Sequence, residues 1–200
     1  HRDLHSFPTR RSSDLIPRFD TEVLIEALLP YAIGNKKVLD IGTGSGILAI
    51  TLKKLCPQLQ MHATDICEDA LHIAQINSSL HQTEISFYKA DIFPKPEKDF
   101  DIIVSNPPYI RGDEYARLDQ KVRRYEPKKA LYADDNGLCF YKRILDRASQ
   151  YLTQNGILAF EHGFDQQHEL LCLTEKAGYE TLMKGKDIAD RDRFLILRLC

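Results

Sequence analysis

The segment Val38-Leu39-Asp40-Ile41-Gly42-Thr43-Gly44-Ser45-Gly46 constrains this chain more than any other. A short apolar run reads as a buried strand. The glycines after it let the backbone turn tightly and lie close to a ligand, where a side chain would clash. Ile47, Leu48, Ile50, Thr51 and Leu55 then recur as one apolar helix stripe. Strand, glycine loop and helix in that order open a βαβ unit, the element of a parallel sheet covered on both faces.

The rest of the chain repeats the alternation. Asp20 or Thr21 can cap a helix starting near Glu22, with Pro30 at its end. His62–Asp65 ends a second strand, and Ala70, Ile73, Ala74, Asn77 and Leu80 form a helix stripe. Ile85–Tyr88 reads as a third strand ending near Asp91, and Asp101–Ser105 as a fourth. A long polar stretch, 110–136, follows, and Asn136-Gly137 is a turn. Leu138, Tyr141, Ile144, Leu145, Ala148 and Leu152 predict a helix that Asn155-Gly156 closes. A fifth strand over Ile157–Glu161, a helix around 165–177 and strands near 179–184 and 193–199 complete the order. The fold class is α/β, with a mostly parallel sheet.

The spacing of the glycine loop narrows its ligand. A dinucleotide fold places pyrophosphate on a G-x-G-x-x-G turn. Here the spacing is G-x-G-x-G, and Asp40 stands just before it. A carboxylate there repels a pyrophosphate and favours a cation. Asp65, nineteen residues after Gly46, can accept hydrogen bonds from both ribose hydroxyls. A cationic nucleoside without phosphates fits, which describes S-adenosylmethionine. Its site would comprise Gly42, Thr43, Gly44, Ser45, Gly46 and Asp65, with Asp91 and Ile92 near the adenine. The plainer alternatives are a tight turn at the glycines and an ordinary strand-end acid at Asp91.

Asn106-Pro107-Pro108-Tyr109 follows the fourth strand, at the carboxyl edge where open α/β sheets bind ligands. Two prolines remove backbone donors and fix φ. The Asn106 side-chain oxygen and the Pro107 carbonyl are then two acceptors for the hydrogens of a planar NH₂ group. Tyr109 can stack on its plane. Such a nitrogen is a poor nucleophile, because its lone pair is delocalised. Orienting it raises its effective molarity, and the acceptors favour the positive charge that develops on it. Asn106, Pro107 and Tyr109 are therefore the candidate catalytic residues, and Asn106–Tyr109 the substrate loop; no metal is required. The alternative is a Pro-Pro turn serving only as a rigid exit from the strand.

These motifs stand in one order with Ile16-Pro17-Arg18-Phe19-Asp20-Thr21-Glu22, Glu126-Pro127-Lys128-Lys129-Ala130-Leu131 and Asn136-Gly137-Leu138. In that order they resemble the bacterial peptide chain release factor N5-glutamine methyltransferases, the PrmC/HemK family. The resemblance covers about residues 16–200, and Asp187–Arg193 resembles the family's closing loop and last strand. It implies a class I S-adenosylmethionine-dependent methyltransferase fold (Rossmann-like), seven-stranded, with an antiparallel last strand. It also implies a substrate, the glutamine amide of the Gly-Gly-Gln motif in class I release factors, which Asn106–Tyr109 would hold, and a donor, S-adenosylmethionine, which Gly42–Gly46, Asp65, Ile92 and Asn106 would contact. Two positions depart from the family: Phe19 stands for its usual proline, and Ile92 where many members carry an aromatic ring over adenine. By the same resemblance, the family's N-terminal helical domain, which helps grip the release factor, is expected to be missing from these 200 residues.

Residues 1–15 fall outside the pattern. They lack apolar periodicity, and His5–Leu15 resembles a translated sequencing adapter, a non-native tail. The remaining 185 residues carry a formal charge of −3, which disfavours a wholesale nucleic-acid binder. Locally, residues 111–129 hold seven basic side chains against four acidic ones beside Tyr109, able to steer RNA or an acidic protein. No apolar run is long enough for a membrane span. Five scattered cysteines without a C-x-x-C pair suit the reducing cytoplasm. A monomer is expected, with no membrane or direct nucleic-acid partner. Rival readings are a ribosomal-protein glutamine methyltransferase, an adenine-N6 methyltransferase of RNA or DNA, and a binding fragment without turnover.

Overall fold

The computed structural model describes residues 19–117 and 131–200. Its described elements are α1 (Phe19–Leu28), β1 (Lys37–Ile41), α2 (Ile47–Leu55), β2 (Gln60–Asp65), α3 (Glu68–Leu80), β3 (Ile85–Lys89) and β4 (Phe100–Ser105). There follow α4 (Gly112–Arg117), a 3₁₀ turn (Asp135–Gly137), α5 (Cys139–Ala148), β5 (Leu152–Glu161), α6 (Gln167–Lys176), β6 (Tyr179–Lys186) and β7 (Asp192–Leu199). The seven strands form one sheet in the order β3-β2-β1-β4-β5-β7-β6. All neighbours are parallel except β7, which is antiparallel to both β5 and β6.

The central strands carry apolar side chains on both faces because both faces are covered. Alternate residues feed two different cores. Leu39, Ile41, Ile103, Leu158, Phe160, Leu195 and Leu197 pack on one face with Tyr141, Ile144 and Leu145 of α5 and Leu170 of α6. Val38, Ile102, Val104, Ile157, Ala159, Phe194 and Ile196 pack on the other with Leu24, Ile25 and Leu28 of α1 and Leu48 and Leu52 of α2. Period-two alternation on strands flanked by helices on both faces is the three-layer arrangement expected from the sequence.

The strand order places the site. From β1 the chain steps outward to β2 and β3, then returns to β4 on the other side of β1. The crevice between the carboxyl ends of β1 and β4 is the topological switch point, where ligands of such sheets bind. The glycine loop leaves β1 there, and Asn106 leaves β4 there.

Two local expectations need correction. Helix α1 begins at Phe19, so Thr21 lies inside it rather than capping it. Leu152 and Asn155-Gly156 belong to β5, not to a helix and its stop. Helix α5 ends at Ala148 because the Phe100 backbone N–H donates to the Tyr151 carbonyl at 2.8 Å, drawing the next segment into the sheet. Leu152 had the helical spacing by coincidence; it pairs with Phe100, and Ile157 next pairs with Ile102, so Thr153–Gly156 bulge outward. Asn155 takes φ 61° at this bulge. Within the polar stretch the described residues hold α4, and Ile110 bridges to Tyr132. Residues 1–18 and 118–130, and with them the tail and most of the basic segment, lie outside the described residues.

Candidate functional site

The glycine loop is shaped by backbone strain that glycine relieves. Gly42, Gly44 and Gly46 have φ of 71°, 56° and 83°, the left-handed region that L side chains rarely adopt. Gly46 is needed twice over, since a Cβ there would lie 3.1 Å from Ala74 Cβ and from Ile50 Cδ1. At Gly42 a Cβ would meet nothing within 4 Å, so space is open beside that backbone. The Gly42 and Thr43 N–H groups donate to the Thr64 carbonyl at 2.8 and 2.9 Å, which ties the loop to the end of β2. Asn77 of α3 donates to the Ser45 carbonyl at 2.9 Å, a buried anchor on the loop's far side.

Two acids face this loop. Asp65 is held by backbone: its Oδ2 accepts from the Gly44 N–H at 2.9 Å and its Oδ1 from the Cys67 N–H at 2.8 Å. A carboxylate offers about four lone-pair sites, so acceptor capacity remains on both oxygens. Asp40 is buried, and its Oδ2 accepts from the Thr43 hydroxyl at 2.7 Å. Burial pushes its pKa up to about 7; the Thr43 hydrogen bond opposes this and the nearby Asp65 charge adds to it. Acceptors, acids and an open backbone are what a hydroxyl-rich, cationic ligand requires. The residues present therefore fit S-adenosylmethionine and would be a poor match for a diphosphate.

The segment after β3 closes the other wall. β3 itself stops at Lys89, before Asp91. The Ala90 N–H donates to the Asp65 carbonyl at 3.0 Å, and the Thr64 hydroxyl to the Ile92 carbonyl at 2.7 Å. This brings the backbone of 90–92 beside the glycine loop. The side chains go elsewhere: Asp91 is exposed and pairs with Arg143 at 2.6 Å, and Ile92 is buried in the core. Ile92 takes φ 75°, an outlier for a β-branched residue. The structure thus unites Gly42–Gly46, Asp65 and Asn106 at one edge, and gives that edge the backbone, rather than the carboxylate, of Asp91.

The acceptor loop is half-buried at Asn106, Pro108 and Tyr109 and buried at Pro107. Ser105 donates to the Ile41 carbonyl at 2.8 Å, locking β4 to β1 one residue before the loop. The Asn106 Nδ2 donates to the Thr21 hydroxyl oxygen at 3.4 Å. Thr21 in turn donates to Glu161 Oε2 at 2.7 Å. The Tyr109 hydroxyl donates to Glu161 Oε1 at 3.5 Å and accepts from Arg193 Nη1 at 3.4 Å. Gln166 Nε2 donates to the Tyr109 carbonyl and to the Asn136 carbonyl, both at 3.1 Å. Gly137 must be glycine here: a Cβ would lie 2.2 Å from the Tyr109 carbonyl oxygen.

Beneath the loop lies a buried ion pair. Arg193 Nη2 meets Asp187 Oδ2 at 2.8 Å, with side chains 7% and 4% exposed. Burial pushes the Asp187 carboxyl up, but hydrogen bonds from Arg193 and from the Arg191 and Ala189 backbone outweigh it and hold the pKa below the ordinary range. The closing-loop segment is therefore what orients Arg193 toward Tyr109.

Thr21, Glu161, Gln166 and Arg193 were not among the expected site residues. Thr21 and Glu161 lie 140 residues apart, so no local spacing links them. One signal was available for Glu161, an acid closing an apolar run at a strand's carboxyl end, as Asp40 and Asp65 do near β1 and β2. Among the described residues, no group of three or more His, Cys, Asp or Glu side chains could hold a metal ion, and no helix is long and apolar enough to cross a membrane.

A family model described as the methyltransferase small domain matches residues 17–123. The release factor glutamine methyltransferase of Lactococcus lactis is 38% identical over 186 residues, covering 92% of this chain and 69% of that protein. The enzyme of the same name from Clostridium acetobutylicum is 39% identical over 190 residues, covering 91% of this chain and 66% of that protein. The chain thus spans about two thirds of the length of these relatives. A methyltransferase structure from Pyrococcus furiosus superposes with a TM-score of 0.71 at 21% identity, covering 95% of this chain and 87% of that one. The sheet order with its antiparallel last strand is the class I methyltransferase fold implied by the sequence resemblance. The chain belongs to the release factor glutamine methyltransferase family, S-adenosylmethionine-dependent enzymes.

Proposed function

We propose that this chain methylates the side-chain amide N5 of the glutamine in the Gly-Gly-Gln motif of class I peptide chain release factors. The observation that carries this reading is the acceptor loop at the switch point. Asn106 is anchored through its Nδ2 on Thr21, which leaves Oδ1 as an acceptor. Pro107 and Pro108 contribute no N–H, so the adjoining backbone presents carbonyl oxygen only. A primary amide needs two such acceptors.

S-adenosylmethionine supplies a methyl group on a sulfonium, an electrophile that needs no metal. Gly42–Gly46 would let the ligand approach the backbone, and Asp65 would take its ribose hydroxyls. Asp40 would favour its positive charge, and the backbone at Asp91-Ile92 would line the adenine. Asn106 and Pro107 hold the amide nitrogen toward the methyl and favour the charge that develops on it, while Tyr109 packs on the amide plane. The Tyr109 hydroxyl is held for this task by Glu161 and Arg193, and its backbone carbonyl by Gln166. On this reading residues 16–200 are the catalytic unit and residues 1–15 are foreign to it. The enzyme acts as a monomer in the cytoplasm, where its five free thiols stay reduced.

Transfer of labelled methyl from S-adenosylmethionine tests the proposal, with a class I release factor, a glutamine-bearing ribosomal protein and RNA offered separately. Label on the release factor, lost when its glutamine is replaced by glutamate, is expected. Label on RNA alone would overturn the reading, and label on nothing would favour a binding fragment.

A further inference from the structure

We propose that Thr21 and Glu161 are positioning residues that decide which end of the Asn106 amide faces the substrate. This rests on the reading above, in which Asn106 accepts a hydrogen bond from the substrate amide. Asparagine is symmetric in shape but not in chemistry. One end of its amide donates and the other accepts. A site that must hold an NH₂ group works in only one of the two orientations, and something must select it.

The hydrogen-bond directions supply the selection. Glu161 sits at the carboxyl end of β5, fully buried, with its two oxygens facing two hydroxyls. Its Oε2 takes the Thr21 hydrogen at 2.7 Å, and its Oε1 faces the Tyr109 hydroxyl at 3.5 Å. A carboxylate can only accept, so the single Thr21 hydrogen is committed to it. The Thr21 oxygen is then left with lone pairs toward Asn106, 3.4 Å away. Only the NH₂ end of Asn106 can face those lone pairs; the reversed amide would set oxygen against oxygen. The Asn106 Oδ1 is thereby turned to the substrate side. The Tyr109 hydroxyl on the other Glu161 oxygen couples the stacking ring to the same anchor, so one buried acid organises both halves of the loop.

Substitution at Thr21 separates orientation from packing. Thr21→Val keeps the shape and removes the hydroxyl, and Thr21→Ser keeps the hydroxyl. Two readouts are needed. The side-chain ¹⁵N–¹H₂ resonances of Asn106, identified by their loss in Asn106→Ala, report its hydrogen bond whether or not the protein turns over. Release-factor methylation, read as kcat beside the dissociation constant for S-adenosylmethionine, reports the consequence. In Thr21→Val the two Asn106 proton shifts should converge. Its kcat should fall by about tenfold or more, with cofactor affinity within about twofold. Thr21→Ser should restore both. Wild-type shifts in Thr21→Val overturn the proposal, as do moved shifts with unchanged kcat. If the wild-type protein methylates no release factor, the functional reading fails, while the convergence of the shifts still decides whether Thr21 orients Asn106.

Discussion

Replacing Asp40 with asparagine should stabilise the cofactor-free protein in a way that grows with pH. The Asp40 carboxyl is buried, and burial is the largest reason its pKa rises from 3.8 to about 7. A folded pKa above the unfolded one means that the folded state binds more protons between the two values. Stability therefore falls as pH rises from about 4, and levels off once pH passes about 7. Holding one proton across one pH unit is worth about 1.4 kcal/mol, so the full cost of the buried charge is about 4 kcal/mol at neutral pH and above. Asparagine carries no charge and can still accept from the Thr43 hydroxyl that donates to Asp40 at 2.7 Å. Comparing variant with wild type cancels the other titrations. Between about pH 5 and about pH 8 the difference in unfolding free energy should move by about 2–3 kcal/mol in favour of Asp40→Asn. Urea denaturation at several pH values measures this directly. A difference that stays level across the range would refute the reasoning, since Asp40 would then be ionised in the folded protein throughout. The same logic predicts that S-adenosylmethionine affinity of the wild-type protein rises through about pH 7 as Asp40 ionises, and that Asp40→Asn flattens that rise.

Asp65→Ala removes an acceptor from the ribose and frees the Gly44 N–H that Asp65 holds at 2.9 Å. Cofactor affinity by calorimetry should weaken by about 1.5–3 kcal/mol, roughly ten- to a hundredfold, and an unchanged dissociation constant contradicts the assignment. Asn106→Ala should lower kcat by about tenfold or more while leaving cofactor binding nearly intact, because the lost acceptor orients the nucleophile. If cofactor binding alone suffers, Asn106 belongs to the wrong site. Gly137→Ala places a methyl 2.2 Å from the Tyr109 carbonyl oxygen and 2.3 Å from Gln166 Nε2, so the acceptor loop must shift. Methyl transfer should drop with cofactor affinity retained; full activity in this variant contradicts the tight packing under Tyr109.

The parts of this fold that were legible in the sequence are those where burial acts locally. Val38, Leu39 and Ile41, and Ile102–Val104, put apolar side chains on both faces because parallel strands are covered on both sides. Gly42, Gly44 and Gly46 were readable because the left-handed turn after β1 excludes other residues. Periodicity failed at Leu152, which has helical spacing from Ile144 and Ala148 but pairs with Phe100 across the sheet. It also failed at α4, whose Gly112–Arg117 sequence is polar. The supporting side of the site was illegible for a different reason. Thr21 looks like a helix cap in its own neighbourhood, and only the folded sheet brings it to Glu161. Asp91 was expected near the adenine with Ile92, and nothing in its neighbourhood announced that Arg143, 52 residues on, pairs with its carboxylate at 2.6 Å. Which partner a polar side chain finds is decided by tertiary packing, and spacing along the chain carries no record of it.

The proposed chemistry converges on one atom, the amide nitrogen of a glutamine. Incubation of the protein with S-adenosylmethionine and an unmodified class I release factor, followed by peptide mass spectrometry, locates any methyl group added. The expected result is the mass of a single methyl on the glutamine of the Gly-Gly-Gln peptide, absent when Asn106→Ala replaces the wild-type protein. A methyl placed on any other residue, or an unmodified glutamine from a folded protein that binds the cofactor, would contradict it.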